Sequence, residues 1–224
     1  MAAENRSGMA FALTCEDMAK SVAFYRDQLG FEMKESWPDD AKPMWCNMVL
    51  HGQSVMLGAA MEPGQVDEMC SNDPEDAKQF RKLAEEFKAH KAGVGVSFYL
   101  HVDDVDAYDK AIRAKRVKPL REPKTQFYGI REVVVPDPDD YRLVFYTPVK
   151  LSTCQSCGMP LADAQPGQMY CGYCTDEKGK LRPYQQVYEG TVANYFMGMQ
   201  KMERKAAEKA AKEYLAKMPA WAGH

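Results

Sequence analysis

Asp17-Met18-Ala19-Lys20-Ser21-Val22-Ala23-Phe24-Tyr25-Arg26-Asp27-Gln28-Leu29-Gly30 decides how the first part of the chain reads. Asp17 suits a helix N-cap, because its carboxylate can accept from the unpaired N–H groups of the first turn. Gly30 suits the left-handed residue that closes a helix. Upstream, Met9 to Cys15 has period two and predicts a strand. Downstream, strands are expected at 31–36, 43–50 and 53–58, with His51-Gly52-Gln53 turning the chain between the last two. The unit is one strand, one helix and three strands.

The same order recurs. Residues 59–75 hold Pro63-Gly64 and Ser71-Asn72-Asp73-Pro74 and read as loop. From Glu75 to about His90, Ala77, Phe80, Leu83, Ala84 and Phe87 have helical spacing, which predicts a helix joining two halves. Val94 to Val102 is strand-like, and Asp104 can cap the helix that begins at Val105. Further strands are expected near 117–122, 128–135 and 142–148, with Pro136-Asp137-Pro138-Asp139-Asp140 turning between the last two. A duplicated module follows, at about 9–58 and 94–149.

The tail, 150–224, opens on Cys154-Gln155-Ser156-Cys157 and Cys171-Gly172-Tyr173-Cys174. Each pair offers two sulfurs on one tight turn, and the 13 residues between the pairs let them meet around one ion. Four thiolates in tetrahedral array are the ligand set of a structural zinc site, closed to substrate. One structural Zn2+ held by Cys154, Cys157, Cys171 and Cys174 is expected. An iron–sulfur centre and a thioredoxin-like pair fit the setting less well, because the knuckles lie among Gly, Pro and Ser turns. Cys15, Cys46 and Cys70 are scattered and read as free, Cys15 as core. Thr191 can cap a long C-terminal helix with an apolar stripe through Val192, Tyr195, Phe196, Met199, Met202 and Tyr214.

Composition excludes several classes. Of 224 residues, 46% are hydrophobic and 27% charged, a globular balance. No apolar window is long enough for a membrane span, and Met1 to Gly8 has no apolar signal core. The expectation is a cytoplasmic protein, in keeping with reduced paired cysteines. Residues 1–149 carry 19 Lys and Arg against 25 Asp and Glu, whereas 150–224 carry 10 against 7. Zinc on four thiolates leaves the tail near neutral, and only Lys178, Lys180 and Arg182 make a small basic patch. Nucleic acid is disfavoured as a partner.

Ser21-Val22-Ala23-Phe24-Tyr25-Arg26-Asp27-Gln28-Leu29-Gly30-Phe31-Glu32, with Val102-Asp103-Asp104-Val105 and Asp137-Pro138-Asp139-Asp140-Tyr141, resembles the glyoxalase/bleomycin-resistance/extradiol-dioxygenase superfamily, also called the vicinal oxygen chelate fold. The resemblance covers 9–149. It implies an α+β fold in which paired βαβββ modules curve a mixed sheet into a cleft, and a homodimer. It also implies inward metal ligands at positions that fall on Ala10, Ser97 and Val144. Alanine and valine have no lone pair to give, and serine alone is a poor ligand, so no metal is expected in the cleft. Cys154-Gln155-Ser156-Cys157-Gly158-Met159-Pro160-Leu161, Tyr170 to Cys174 and Tyr214 to Trp221 resemble a bacterial zinc-ribbon family across about 154–221.

Strand alternation places Ala10, Ala12, Thr14, Ser97, Tyr99, His101, Arg142, Val144 and Tyr146 on the cleft walls, with the alternate residues under the helices. Trp37, Trp45, Phe127 and Tyr128 are candidates for its mouth. The ligand-binding set is therefore Thr14, Trp45, Ser97, Tyr99, His101, Arg142 and Tyr146. His101, Tyr99 and Glu132 are the weak catalytic candidates, His101 because its reference pKa is near neutral. Glu132 and Asp137 are further polar contacts, with a turn or salt-bridge role preferred. The acidic first domain favours a cationic or aromatic ligand through long-range attraction. The leading expectation is a binding protein for an unidentified small organic molecule, of bleomycin-resistance-like type. A glyoxalase-like lyase or isomerase with a nonstandard site is the first alternative. A ligand-sensing adaptor, whose ribbon and C-terminal helix contact a protein or nucleic acid, is the second.

Overall fold

The computed structural model describes residues 11–61, 64–66, 74–90 and 92–223, with Asp76 described for its backbone alone. The expectations placed on Met9, Ala10, Pro63, Cys70 and Ser71-Asn72-Asp73 lie outside these residues. The chain divides into two compact units, Met1–Pro123 with Glu132–Tyr146, and Lys124–Arg131 with Thr147–His224.

The first unit holds most of the duplicated α+β module; residues 124–131 and 147–148 of the second copy fall in the second unit. Strand β1 (Phe11–Cys15) leads to α1 (Met18–Ala23), which continues with wider π-type winding through Phe24–Leu29. Asp17 accepts from the Lys20 N–H at 3.0 Å, and Gly30 closes the helix at φ 84°. Strands β2 (Glu32–Trp37), β3 (Trp45–Leu50) and β4 (Gln53–Ala59) follow. His51 and Gly52 both have positive φ, 47° and 77°, which matches the twist of a two-residue hairpin turn. The sheet order is β1-β4-β3-β2, with β1 parallel to β4 and in register Phe11 to Val55.

Helix α2 (Pro74–Ala89) then precedes the second copy. It consists of β5 (Ser97–His101), α3 (Val105–Ala114), β6 (Lys124–Thr125), β7 (Ile130–Pro136) and β8 (Arg142–Pro148). Asp104 caps α3 by accepting from Asp106 and Ala107 N–H, each at 3.0 Å. The order β5-β8-β7-β6 repeats that of the first sheet, again with first and last strands parallel. The strand expected at 117–122 is not formed. Leu120 N–H gives one hydrogen bond to Val134 O, and the short strand lies beyond Pro123 at Lys124–Thr125.

One core serves both modules. Leu13, Cys15, Met48, Val55, Leu57, Phe98, Leu100, Leu143 and Phe145 bury their side chains with Val22, Tyr25, Leu29 and Ile112 from the helices. Each fully buried large apolar side chain contributes about 1.5–3 kcal/mol over its exposed state. This alternation leaves Thr14, Ser97, Tyr99, His101, Arg142 and Tyr146 on the opposite faces.

The second unit has a smaller core of Leu151, Leu161, Ala164, Val187, Leu215 and Trp221 around the four cysteines. Its long C-terminal helix starts at Tyr184, ahead of Thr191. Helix α4 (Tyr184–Gly190) passes into π-type winding at Thr191–Met199, breaks where Lys201 takes φ 57°, and resumes as α5 (Arg204–Leu215). Thr191 lies within the run, and its hydroxyl donates back to Val187 O at 2.8 Å. Among the described residues no helix is long and apolar enough to cross a membrane.

Candidate functional site

The open face of the first sheet carries small side chains, Ala12 and Thr14 on β1 and Gly58 on β4. They leave a hollow that α2 covers with its stripe of Phe80, Leu83, Ala84 and Phe87, spaced to share one helix face. Trp37, Met44 and Trp45 wall the other side. The cavity volume is about 290 Å3. Among the described residues its lining has no ionisable side chain, and Thr14 supplies the one hydroxyl.

The second sheet groups the other candidates. Register sets Ser97 opposite Arg142, Tyr99 opposite Val144 and His101 opposite Tyr146. The Tyr146 ring lies 5.6 Å from His101 and 6.0 Å from Tyr99. Thr14 and Trp45 thus line the cavity, whereas Ser97, Tyr99, His101, Arg142 and Tyr146 form a separate face. Val144, expected on that wall, is only 3% exposed. Glu132 is buried on β7 and paired with Arg121 at 2.7 Å. Phe127 and Tyr128 lie in the second unit, with ring centroids 5.1 Å apart.

Cys15 and Cys46 are fully buried in the first core, and burial pushes their thiols up to about 12 and about 11. They are unreactive packing groups.

The four remaining cysteines of the described residues form a metal-binding constellation. Their sulfurs all lie within 4.8 Å of one another, with Cys157 and Cys171 sulfurs 3.6 Å apart. A tetrahedral ion with metal–sulfur bonds of about 2.3 Å sets its sulfurs about 3.8 Å apart. The Cys171 N–H points to the Cys154 sulfur at 3.3 Å, as in knuckles that stabilise thiolates. Charge is shared unevenly. Hydrogen bonds from the Cys157 and Cys174 thiols pull Cys154 far below the ordinary thiol range. The bond to Cys154 in turn pushes Cys157 far up and Cys174 up to about 12. A divalent cation replaces those shared protons and lets all four ionise. Ser156 is fully buried, and its Oγ has no hydrogen-bond partner among the described residues. The residues fit a metal ion.

The C-terminal segments hold these knuckles in place. Trp221 Nε1 donates to Ser156 O at 2.9 Å, and Tyr214 OH donates to Cys157 O at 3.2 Å. Ala220 N–H donates to Gln155 O at 3.1 Å.

Residues 10–145 match the model of the Glyoxalase/Bleomycin resistance protein/Dioxygenase superfamily. The chain belongs to this superfamily. Residues 153–222 match the family described as "Putative zinc ribbon domain", so this superfamily member carries a C-terminal ribbon. No curated protein matches the chain. Among solved structures it is similar to a glyoxalase/bleomycin resistance protein/dioxygenase from Nocardioides, at 16% identity and TM-score 0.46, over 75% of this chain and 91% of that one. TioX from Micromonospora sp. ML1 is similar at 18% identity and TM-score 0.44, over 62% and 94%. TnmS3, an antibiotic binding protein from Streptomyces sp. CB03234, is similar at 19% identity and TM-score 0.42, over 63% and 96%.

Sequence reasoning missed α2 as a cavity wall and treated it as a connector. The signal was its stripe of Phe80, Leu83 and Phe87, too apolar for a helix that merely links two halves.

Proposed function

We propose that the cavity over the first sheet binds a small, flat, largely apolar organic molecule, and that the four cysteines hold one structural zinc ion. The lining carries the reading: two indoles, two phenyl rings and two thioethers around one hydroxyl. At about 290 Å3 the space lies near the lower end of ligand cavities, roughly 300–1,000 Å3, and suits one or two fused rings. Among its described residues the lining offers no group able to exchange a proton near neutral pH, which favours binding over lyase or isomerase chemistry. Bound zinc supplies folding energy to a unit whose own core is small. A cytoplasmic homodimer belongs to the same reading, and sedimentation measures the oligomeric state.

The test is tryptophan fluorescence on the full zinc-loaded chain, titrated with naphthalene derivatives. Quenching of Trp37 and Trp45 should saturate. Ala12→Phe places a ring in the cavity and should weaken binding roughly tenfold or more. Equal binding by the variant, or quenching that never saturates, would sink the proposal.

A further inference from the structure

The zinc-ribbon unit has a cavity of its own, of about 660 Å3, between the two knuckles and helix α4. Its lining includes Met159 and Tyr173 from the knuckles, Tyr195 and Met199 from the helix, and Tyr214 from α5. Packing does not account for Tyr173 and Met199. Tyr173 is 80% exposed and Met199 73% exposed, although each is large and apolar. Tyr214 is fixed by its bond to Cys157 O, and the Tyr195 ring lies against it at 5.9 Å and 32°. Rigid aromatic faces and adaptable thioethers therefore converge on one space.

Its electrostatics are one-sided. Among the described residues no Lys, Arg, Asp or Glu lines the cavity, but the cysteines Cys157 and Cys174 do. With a divalent ion on four thiolates, the centre beside them carries a formal charge of about −2. Aromatic π faces also attract positive charge, most strongly where water is excluded. The amides of Gln186 and Asn194 add neutral acceptors to the same lining.

We infer that this cavity binds an organic cation of the quaternary or methylated ammonium class. The cation lies against Tyr173, Tyr195 and Met199, with its charge toward the thiolate centre. This site is separate from the cavity over the first sheet and does not depend on its ligand. It does depend on the metal reading of the four cysteines, so zinc content is measured on the same samples.

The experiment uses full-length protein with methyl-labelled methionine, titrated in turn with choline and with its uncharged isostere 3,3-dimethylbutan-1-ol. Choline should shift the Met159 and Met199 methyl signals saturably and leave Met44 and Met61 of the first cavity in place. The isostere should bind about tenfold more weakly, and Tyr173→Ala should weaken choline about fivefold with zinc content unchanged. Equal affinity for the isostere, shifts at Met44 and Met61 instead, or no saturable shift with zinc in place would each overturn the inference. Protein that holds no zinc would overturn the metal reading and, with it, the charge this site requires.

Discussion

The Tyr25 hydroxyl donates to Asp137 Oδ2 at 3.0 Å, in a buried contact that ties helix α1 of the first module to the β7–β8 turn of the second. The other carboxylate oxygen accepts the N–H groups of Asp139 and Tyr141 at 3.0 and 2.9 Å. Asp139 reaches the same helix, accepting from Glu16 N–H at 2.9 Å and Ser21 Oγ at 3.0 Å. Two aspartates of one turn thus fasten the modules together.

Stability should fall as pH rises through the titration of Asp137. Burial pushes its carboxyl up from 3.8 to about 6, against the hydrogen bonds from Tyr141, Tyr25 and Asp139, which favour the charged form. Between these values the folded state binds the proton more tightly than the unfolded chain. This contribution is therefore full below pH 4 and is lost as pH passes about 6. The difference amounts to roughly 3 kcal/mol. Urea unfolding of wild type and Asp137→Asn at pH 4 to 7.5 isolates it. The variant should lack that part of the slope, and parallel curves would contradict the assignment.

Gln53 should matter more than an exposed hairpin residue does. Its side-chain amide donates to His101 O and accepts from His101 N–H, both at 2.7 Å, so one side chain closes a bridge from β4 to the β5 backbone. Gln53→Leu leaves both main-chain groups unpaired and should cost about 1–3 kcal/mol. Chemical denaturation measures it, and a change near zero would mean that water replaces the amide.

Much of this was legible locally. Asp17, Asp104 and Gly30 act within one turn of chain, so the caps they predict are formed. Cysteine spacing likewise encodes a contact made across short loops. Failures came where partners are distant or choices compete. Val117 is buried and Leu120 exposed, but this stretch makes a single ladder bond before Pro123 and no strand. Thr191 fits a cap by residue type, yet its hydroxyl bonds the carbonyl four residues earlier, an alternative open to any threonine inside a helix. The stripe of α2 was visible, but what it covers is decided by tertiary packing.

Gly158 is a sensitive point of the ribbon. It has φ 71°, and a Cβ there would collide with the Tyr214 hydroxyl that donates to Cys157 O. Gly158→Ala should destabilise the second unit by about 1–3 kcal/mol and speed zinc loss to a chromophoric chelator. Cys174→Ser should release the ion outright. In both variants the transition of the first unit should stay in place; its loss would show that the units fold as one.

The most direct measurement is a crystal structure of protein purified without added metal, with anomalous scattering recorded at the zinc edge. The result expected is one zinc peak, bonded to Cys154, Cys157, Cys171 and Cys174 at about 2.3 Å, with organic density between Trp45 and Phe87. A metal peak in the cavity over the first sheet, or beside Ser97 and His101, would contradict it.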